Sequence, residues 1–370
     1  MRMIEDNVST CPHCGASVPY IQENPVDLPA GTLLRERFII GRSIGHGGYG
    51  ITYIAYDRHL TARRAIKEYF PKDGKRGKNL HPIPPEGREA DVARTREHFL
   101  QEARMMTAAR DSHVRNVVQV FDQFDENNTS YILMEYLDGM TIDDYINRVT
   151  HGDMPWKEAV GYACEALRAL QDLHDAHMIH RDISANNIFL RQDKTICLID
   201  FGSAEFLDTA LQSPGKLWPS SKRYYTPREQ RERRPQGAYT DVYAMAVVLY
   251  KMLVGYFPAV ARVSDFRPVD EMAPAKAIPP AIAETLKDAL RENERERIQT
   301  ADEMRMRLEK AAGFGTKRMN PKLRQLLATA GTTTAAIFVV LGLGAATGGI
   351  RRIEPRIPQQ AATAEPSFTP

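Results

Sequence analysis

The 370-residue chain has almost no excess of either charge, since 49 lysines and arginines face 47 aspartates and glutamates for a net charge of +2. This balance gives no reason to expect nucleic-acid binding through bulk electrostatics. Cysteine is also scarce: there are four, and Cys164 and Cys197 lie within apolar runs. Such usage excludes the disulfide framework of a small secreted protein and favours a reducing cytosol for the main body. The first residues, with Glu5 and Asp6 and no apolar core, do not read as a secretory signal.

Charged residues are absent from 326–350. As a helix these residues would measure roughly 38 Å, against a hydrocarbon core of about 30 Å. The sequence therefore predicts a transmembrane helix here, with a flexible tail or a buried helix as the alternative because many positions are Ala, Gly or Thr. A basic linker, 313–325, precedes it and a tail predicted to be disordered, 351–370, follows. Gly344 and Gly348 form a small-residue pair that could bring two such helices together in a homodimer, although a chance pair is the simpler explanation.

The N-terminal segment, 1–30, is polar and contains a single Cys-x-x-Cys unit at Cys11 and Cys14. It resembles one half of a zinc ribbon. Structural zinc needs four ligands and no second cysteine pair follows, so zinc binding at Cys11 and Cys14 stays an open alternative.

From residue 38 the chain is first strand-like and then helical in pattern. Runs rich in β-branched and aromatic residues predict strands, and helical spacing of apolar residues predicts helices. The predicted strands are 38–40, 51–56, 64–67, 117–121 and 131–134. The predicted helices are 90–109, 156–174, 241–253, 281–290 and 301–311. A loop rich in Lys, Gly and Pro is expected over 71–87.

Two loops at the seam between the halves carry the most informative motif. Residues 180–187 read His-Arg-Asp-Ile-Ser-Ala-Asn-Asn, and Asp200-Phe201-Gly202 follows thirteen residues later. A carboxylate at Asp182 can orient a hydroxyl, while Asn187 and Asp200 provide oxygen ligands for a metal ion. These groups are what ATP-dependent phosphoryl transfer requires.

Residues 45–50, Gly-His-Gly-Gly-Tyr-Gly, fit a G-x-G-x-x-G pattern that leads into a strand. A dinucleotide-binding fold would place a helix there, so these glycines are predicted to form a hairpin over phosphates. Lys67 lies in an apolar strand, where an ammonium group needs anionic partners. Glu102 on the following helix is the preferred partner, and Glu97 is the alternative.

Together these motifs resemble those of the protein kinases over about 38–312, and most closely the bacterial, eukaryotic-like serine/threonine branch through 48–53 and 65–71. The resemblance implies an α+β, bilobal fold, with a small β-rich lobe containing one main helix (38–137) and a larger helical lobe (138–312). It implies that Asp182, Lys67, Asn187 and Asp200 are catalytic, with Asn187 and Asp200 holding Mg²⁺. The residues that it assigns to ATP binding are Ile44, Gly45, Gly47, Gly48, Gly50, Lys67, Glu102, Met134, Glu135 and Leu137.

The same resemblance implies that 200–229 forms an activation segment and a platform for a protein substrate. Glu229 would pair with Arg297, and Asp241 would hold the catalytic loop. In this family an arginine at the position of Arg181 often binds a phosphate on the activation segment. The resemblance therefore predicts autophosphorylation there. The candidate acceptors are Thr209, Ser213, Ser220, Ser221 and Thr226.

One residue departs from the family pattern: Ser184 stands where serine/threonine kinases usually have a lysine, which leaves the choice between Ser/Thr and Tyr acceptors open. The expected function is transfer of the γ-phosphate of ATP to Ser or Thr of cytosolic proteins. Because ATP is cytosolic, the kinase domain of a single-pass membrane protein would lie in the cytosol. A pseudokinase scaffold, or a small-molecule phosphotransferase of related fold, is the alternative.

Overall fold

A computed structural model describes residues 24–47, 49–212, 224–257, 263–273 and 276–314 of the chain. Several predictions fall outside these residues. They are the zinc site at Cys11 and Cys14, the role of Gly48, the acceptors Ser213, Ser220 and Ser221, the membrane span 326–350 and the tail 351–370. Among the helices that are described, none combines the length and the apolar character needed to cross a bilayer.

The first half of the kinase-like region is an antiparallel sheet of six strands in the order β1-β2-β3-β4-β8-β7, with one long helix, α1. β3 and β4 pair in unbroken register from Gly50 opposite Tyr69 to Asp57 opposite Ala62. The elements are β1 (Leu33–Leu34), β2 (Phe38–Gly47), β3 (Gly50–Asp57), β4 (Ala62–Tyr69), α1 (Glu89–Asp111), β7 (Val120–Glu126) and β8 (Thr129–Glu135).

Two sequence predictions in this half need correction. The strand predicted over 117–121 begins only at Val120, because Val117 bridges to Leu198 and the amide of Val118 donates to the Leu198 carbonyl. These two valines therefore join the two halves of the fold. The stretch expected to be a loop, 71–87, contains a short hairpin of β5 (Lys75–Arg76) and β6 (Pro82–Ile83).

The second half is mainly helical, and its long helices agree with the predicted ones to within three residues at each end. Thr300 caps the last helix, accepting from the amide of Glu303 at 3.1 Å. The elements are β9 (Gly139–Thr141), α2 (Ile142–Asp144), a π-helical turn (Tyr145–Val149), α3 (Trp156–Asp175), β10 (Met178–Ile179), β11 (Ile188–Arg191), β12 (Ile196–Leu198), β13 (Glu205–Phe206), α4 (Leu207–Gln212), α5 (Arg228–Arg231), α6 (Ala238–Val254), α7 (Val269–Met272), α8 (Pro280–Ala289) and α9 (Ala301–Ala312).

Both faces of the β-sheet are covered, because side chains alternate along each strand. In β4, Ala65 belongs to the large core shared with α1 and the helical half, whereas Ile66 belongs to a separate core on the outer face. Leu28, which precedes β1 in the chain, is also buried in that outer core. Lys67, two residues after Ala65, consequently lies on the inner face, toward the helical half.

Candidate active site

A cleft of about 480 Å³ lies between the inner face of the sheet and the helical half. It brings together residues that the sequence analysis selected from motifs far apart in the chain. The predicted residues that line it are Ile44, Gly45, Gly47, Lys67, Glu102, Met134, Glu135, Leu137, Asn187 and Asp200. Of the others, Gly50 and Asp182 contact these residues, and Gly48 is not described.

Lys67 and Glu102 form an ion pair inside this cleft. Lys67 Nζ lies 2.7 Å from each carboxylate oxygen of Glu102, and both side chains are largely buried. Burial alone would lower the pKa of Lys67, but the carboxylates of Glu102 and Asp200 outweigh it, so the pKa is raised and the ammonium stays charged. The alternative partner, Glu97, is exposed and pairs with Arg104 instead.

His98 lies at the same site and was missed by the sequence analysis. Its ring packs edge-on against Tyr49 of the glycine-rich turn. Burial, followed by the nearby Lys67 charge, lowers the pKa of His98 to about 4, so the imidazole is neutral at physiological pH. His98 lies four residues before Glu102 on α1, so the two side chains share one face of the helix. This spacing could have identified His98 from the sequence.

The catalytic loop holds Asn187 and Asp182 in contact. Asn187 Nδ2 donates to the backbone carbonyl of Asp182 at 2.7 Å and to its side-chain Oδ2 at 2.9 Å. These bonds use the amide nitrogen, which leaves the Asn187 amide oxygen to serve as a ligand. The pair therefore places one carboxylate and one amide oxygen at the end of the cleft that also contains Asp200.

Two non-glycine residues at this end have left-handed backbone conformations. Asp200 has φ +65° and Arg181 has φ +62°. Such conformations cost free energy and persist where surrounding contacts fix them. For Asp200 one such contact is the amide of Gly202, which donates to Oδ1 at 3.3 Å.

Asp241, on the buried helix α6, fixes the other strained position. Its carboxylate accepts the backbone amides of His180 and Arg181, each at 2.8 Å, and contacts His174 Nε2 at 2.9 Å. Burial alone would raise the pKa of Asp241, but these hydrogen bonds and the nearby imidazoles lower it. The structure thus shows Asp241 holding the loop that carries Asp182, as predicted.

Gly50 is required where β3 passes β4. A Cβ atom at this position would lie 2.8 Å from the Glu68 carbonyl oxygen and 3.5 Å from Lys67 Cε. The glycine therefore allows the glycine-rich hairpin to approach the strand that carries Lys67.

The connection between the halves is also fixed. The amide of Glu135 donates to the Gln119 carbonyl at 2.8 Å, and the Glu135 side chain pairs with Arg191 at 3.2 Å. Met134 pairs with Ala65 across the ladder.

The cleft is apolar beside this connection. Sequence reasoning did not identify the further residues that line it, which are Ala65, Met106, Val118, Phe189 and Ile199. Strand alternation from Lys67 could have identified Ala65.

Ser184 is fully buried and does not line the cleft. Its hydroxyl has no hydrogen-bond partner among the described residues. The Ser184 side chain therefore does not contribute a hydrogen bond to the arrangement around Asp182. Arg181, in turn, forms an ion pair with Glu205 and donates to the Ser203 carbonyl at 2.7 Å.

The donor set at the end of the cleft suits magnesium. Asp182, Asn187 and Asp200 offer carboxylate and amide oxygens, the hard ligands that Mg²⁺ prefers in sites completed by phosphates and water. Across the described ranges, no group of three or more His, Cys, Asp or Glu side chains could hold a metal ion by itself.

A β-rich lobe and a helical lobe, with a Lys–Glu pair, a glycine-rich hairpin and oxygen ligands in the cleft between them, define a two-lobed protein whose candidate active site lies in that cleft. The family model for the protein kinase domain matches residues 38–307. The chain therefore belongs to the protein kinase family.

Curated relatives agree with this assignment. A probable serine/threonine-protein kinase of Clostridium acetobutylicum is 29% identical over 232 residues, which are 62% of this chain and 31% of the relative. Serine/threonine-protein kinase PksC of Streptomyces coelicolor is 28% identical over 286 residues, 73% of this chain and 48% of the relative. The chain thus matches only about a third to a half of the length of these relatives.

Solved structures agree in fold. The apo form of PpkA-294 is 30% identical, with a TM-score of 0.63, and the match covers 76% of this chain and 99% of that one. The PknI kinase domain of Mycobacterium tuberculosis is 18% identical with a TM-score of 0.58, covering 78% of this chain and 100% of that one. The second likeness concerns the fold alone. The bilobal kinase fold and the bacterial serine/threonine kinase resemblance are thereby confirmed.

Proposed function

We propose that this chain is an ATP-dependent protein serine/threonine kinase. The observation that carries the proposal is the buried Lys67–Glu102 pair, formed in the same cleft as Asn187 and Asp200. A degenerate kinase has no need to keep a buried ammonium, a strained aspartate and a hydrogen-bonded Asp182–Asn187 pair together. The names of the relatives support Ser and Thr as acceptors.

Each residue of the cleft has a definable task. Lys67, held charged by Glu102, would bind phosphate oxygens, and the glycine-rich hairpin would cover them with backbone amides. Asp182 would orient the acceptor hydroxyl and take its proton as the new oxygen–phosphorus bond forms, while the bond from the γ-phosphorus to the β–γ bridging oxygen breaks and ADP leaves. Asn187 and Asp200 would hold Mg²⁺, which supplies neutralisation of phosphate charge when bound. The apolar walls beside Glu135 and Leu137 would take the adenine ring.

Two substitutions test this function. Asp182→Asn and Lys67→Met should each lower transfer of labelled phosphate from ATP to a protein substrate by at least about 100-fold, because each removes a group that acts on the reacting atoms. Asp193→Asn is the matched control, since Asp193 is exposed and bonds only locally to Thr195. Full turnover in either site variant would refute the proposal. Nucleotide-induced thermal stabilisation of the wild type without any turnover would favour the pseudokinase alternative.

Autophosphorylation forms a second part of the proposal. Arg181 is largely buried and pairs with Glu205, which lies in β13 within 200–229, so a phosphate nearby could compete with Glu205 for the guanidinium. Among the candidate acceptors, Thr209 is exposed on α4. Phosphosite mapping after incubation with Mg-ATP should find phosphate within 200–229, and phosphatase treatment should lower turnover. Equal turnover with no phosphate in this peptide would contradict it.

We further propose that 326–350 anchors the protein in a membrane with the kinase domain in the cytosol. The support is the uncharged run itself, flanked by basic residues on both sides. Val339→Arg should move the protein from the membrane to the soluble fraction, whereas Thr332→Ser should not. Recovery of wild-type protein in the soluble fraction would contradict the anchor. Dimerisation through this segment stays a prediction.

A further inference from the structure

A short segment before the kinase-like region contacts the glycine-rich turn. Asp27 is 1% exposed. Its Oδ2 accepts a hydrogen bond from the Ser43 hydroxyl at 2.7 Å, and its Oδ1 lies 3.1 Å from His46 Nε2. Asp27 lies eleven residues before Phe38, where the match to the family model begins. The contact is therefore made by this chain's upstream residues and not by the family's shared core.

Ser43 lies in the irregularly paired part of β2, and His46 lies three residues further on, in the regularly paired tip of the hairpin. The pairing of β2 with β3 is interrupted between Ile40 and Ser43 and again between Ser43 and Gly45. Register irregularities loosen a strand and re-aim its side chains. His46 lies between Gly45 and Gly47 and lines the cleft. Asp27 thus accepts a hydrogen bond from Ser43, where the backbone pairing is irregular, and contacts His46 nearer the tip of the hairpin.

The upstream segment is itself fixed on the outer face of the sheet. The amide of Leu28 donates to the Tyr53 hydroxyl at 3.0 Å, and Arg76 Nε donates to the Val26 carbonyl at 2.8 Å. Arg76 belongs to the hairpin β5–β6 and makes a two-pronged ion pair with the buried carboxylate of Glu68, at 2.6 Å for each nitrogen. Tyr53 also donates to Glu68 at 2.9 Å.

This buried network gives Asp27 a rigid base. Glu68 follows Lys67 in β4 and faces the opposite side of the sheet. The outer-face network and the cleft are therefore joined through adjacent residues of one strand. Because buried polar groups that are fully bonded are costly to rearrange, the segment cannot shift without breaking several hydrogen bonds.

We propose that Asp27 is a positioning residue that holds the glycine-rich hairpin over the phosphates through Ser43 and His46. This inference rests on the proposed kinase function and goes beyond it, because it assigns a role in nucleotide binding to residues upstream of the family's shared domain. Asp27 does not touch the nucleotide itself. It restrains the residues that do.

The test measures nucleotide affinity in the full chain. The probe is the non-hydrolysable ATP analogue AMP-PNP with Mg²⁺, titrated by calorimetry. Asp27→Ala should weaken its binding about 5-fold, the lower end of typical coupling between distinct sites. In the His46→Ala background the same change should have a clearly smaller effect, because the two residues act through one contact. Asp27→Asn should lose less than Asp27→Ala, since it retains a side-chain oxygen for Ser43.

Asp57→Asn is the control, because Asp57 is a buried carboxylate of the same sheet that bonds to Arg37 and not to the hairpin over the cleft. It should leave AMP-PNP affinity within twofold. Should Asp27→Ala fail to fold, Asp27→Asn and Ser43→Ala carry the test. An unchanged or tightened affinity, or fully additive effects of the Asp27 and His46 changes, would overturn the proposal.

The affinity measurement and an assay of phosphoryl transfer distinguish this inference from the proposed function on which it rests. Absence of phosphoryl transfer by the wild type would refute the proposed function while leaving the affinity measurement valid. Unaltered AMP-PNP binding in the variants, with active wild type, would refute only the role of Asp27.

Discussion

Gly50 shows how one missing side chain positions the cleft. A Cβ atom there would come within 2.8 Å of the Glu68 carbonyl oxygen, closer than real Cβ contacts. At Gly45, five residues earlier in the same motif, a Cβ atom would meet no atom within 4 Å. Both glycines match the sequence motif equally. In the structure, packing requires a glycine at position 50 but leaves open space for a side chain at position 45.

Gly50→Ala should therefore lower the free energy of unfolding by about 2 kcal/mol, because β3 and β4 must separate to admit the methyl group. Gly45→Ala should change it by less than about 0.5 kcal/mol, as expected where the added group meets open space. Urea unfolding of the two variants without nucleotide checks this difference. Equal stabilities would mean that the hairpin adjusts freely around Gly50.

Sequence reasoning at this scale found the groups with chemical roles but not all of their surroundings. It selected Glu102 over Glu97 from the inward face of a helix, and the structure places Glu102 against Lys67. It did not find the contacts of Asp27 with Ser43 and His46 or the Glu68–Arg76 pair, because a local sequence pattern does not report which side chains will meet in the fold. The burial of Ser184 likewise depends on tertiary packing that no motif records.

At the scale of elements, periodicity predicted every long helix and the long strands β2, β3, β4 and β8 of the described chain, but not most of the strands of two to four residues. It failed for β7, where Val117 and Val118 have strand-like composition but bond across to Leu198. It also failed for the hairpin β5–β6, where Arg76 forms an ion pair with the buried carboxylate of Glu68 and donates to the Val26 carbonyl. In both cases tertiary contacts accompany strand boundaries that local propensity did not predict.

The turn between β3 and β4 depends on one carboxylate. Asp57 Oδ1 accepts the amides of His59 and Leu60 at 3.0 and 3.2 Å, and Arg37 forms a bidentate bond with both of its oxygens. The Arg37 hydrogen bonds are the largest cause that lowers the pKa of Asp57, to about 2 from its usual 3.8.

This lowered pKa predicts an acid-dependent loss of stability. Between pH 3.8 and about 2 the unfolded chain binds a proton at Asp57 that the folded chain does not, so the free energy of unfolding falls as the pH falls. Above pH 3.8 the contribution is complete. Asp57→Asn should be less stable at neutral pH and show a shallower decline in this window, measured by urea unfolding at several pH values. Parallel curves for the two proteins would contradict the assignment.

At the scale of the whole molecule, distant segments are joined by buried charges. Glu229, at the end of the predicted activation segment, and Arg297, between α8 and α9, are 68 residues apart and form an ion pair at 2.7 Å with both side chains fully buried. Arg297 also donates to the Tyr239 carbonyl at 3.0 Å, and the Thr240 hydroxyl donates to Glu229 at 3.2 Å. The pairing was predicted from the family resemblance, and the structure shows it.

Removing one partner should leave a buried charge without compensation. Arg297→Met should lower the free energy of unfolding by about 3–5 kcal/mol, and the added change Glu229→Gln should recover part of this loss because the uncompensated carboxylate is then gone. Arg307→Met, which removes a half-exposed arginine from its ion pair with Glu303, should cost less than about 1 kcal/mol. Chemical denaturation of the three variants gives these values. A double variant no more stable than Arg297→Met would show that Arg297 acts through its packing and its bonds to backbone carbonyls, and that neutralising Glu229 relieves nothing.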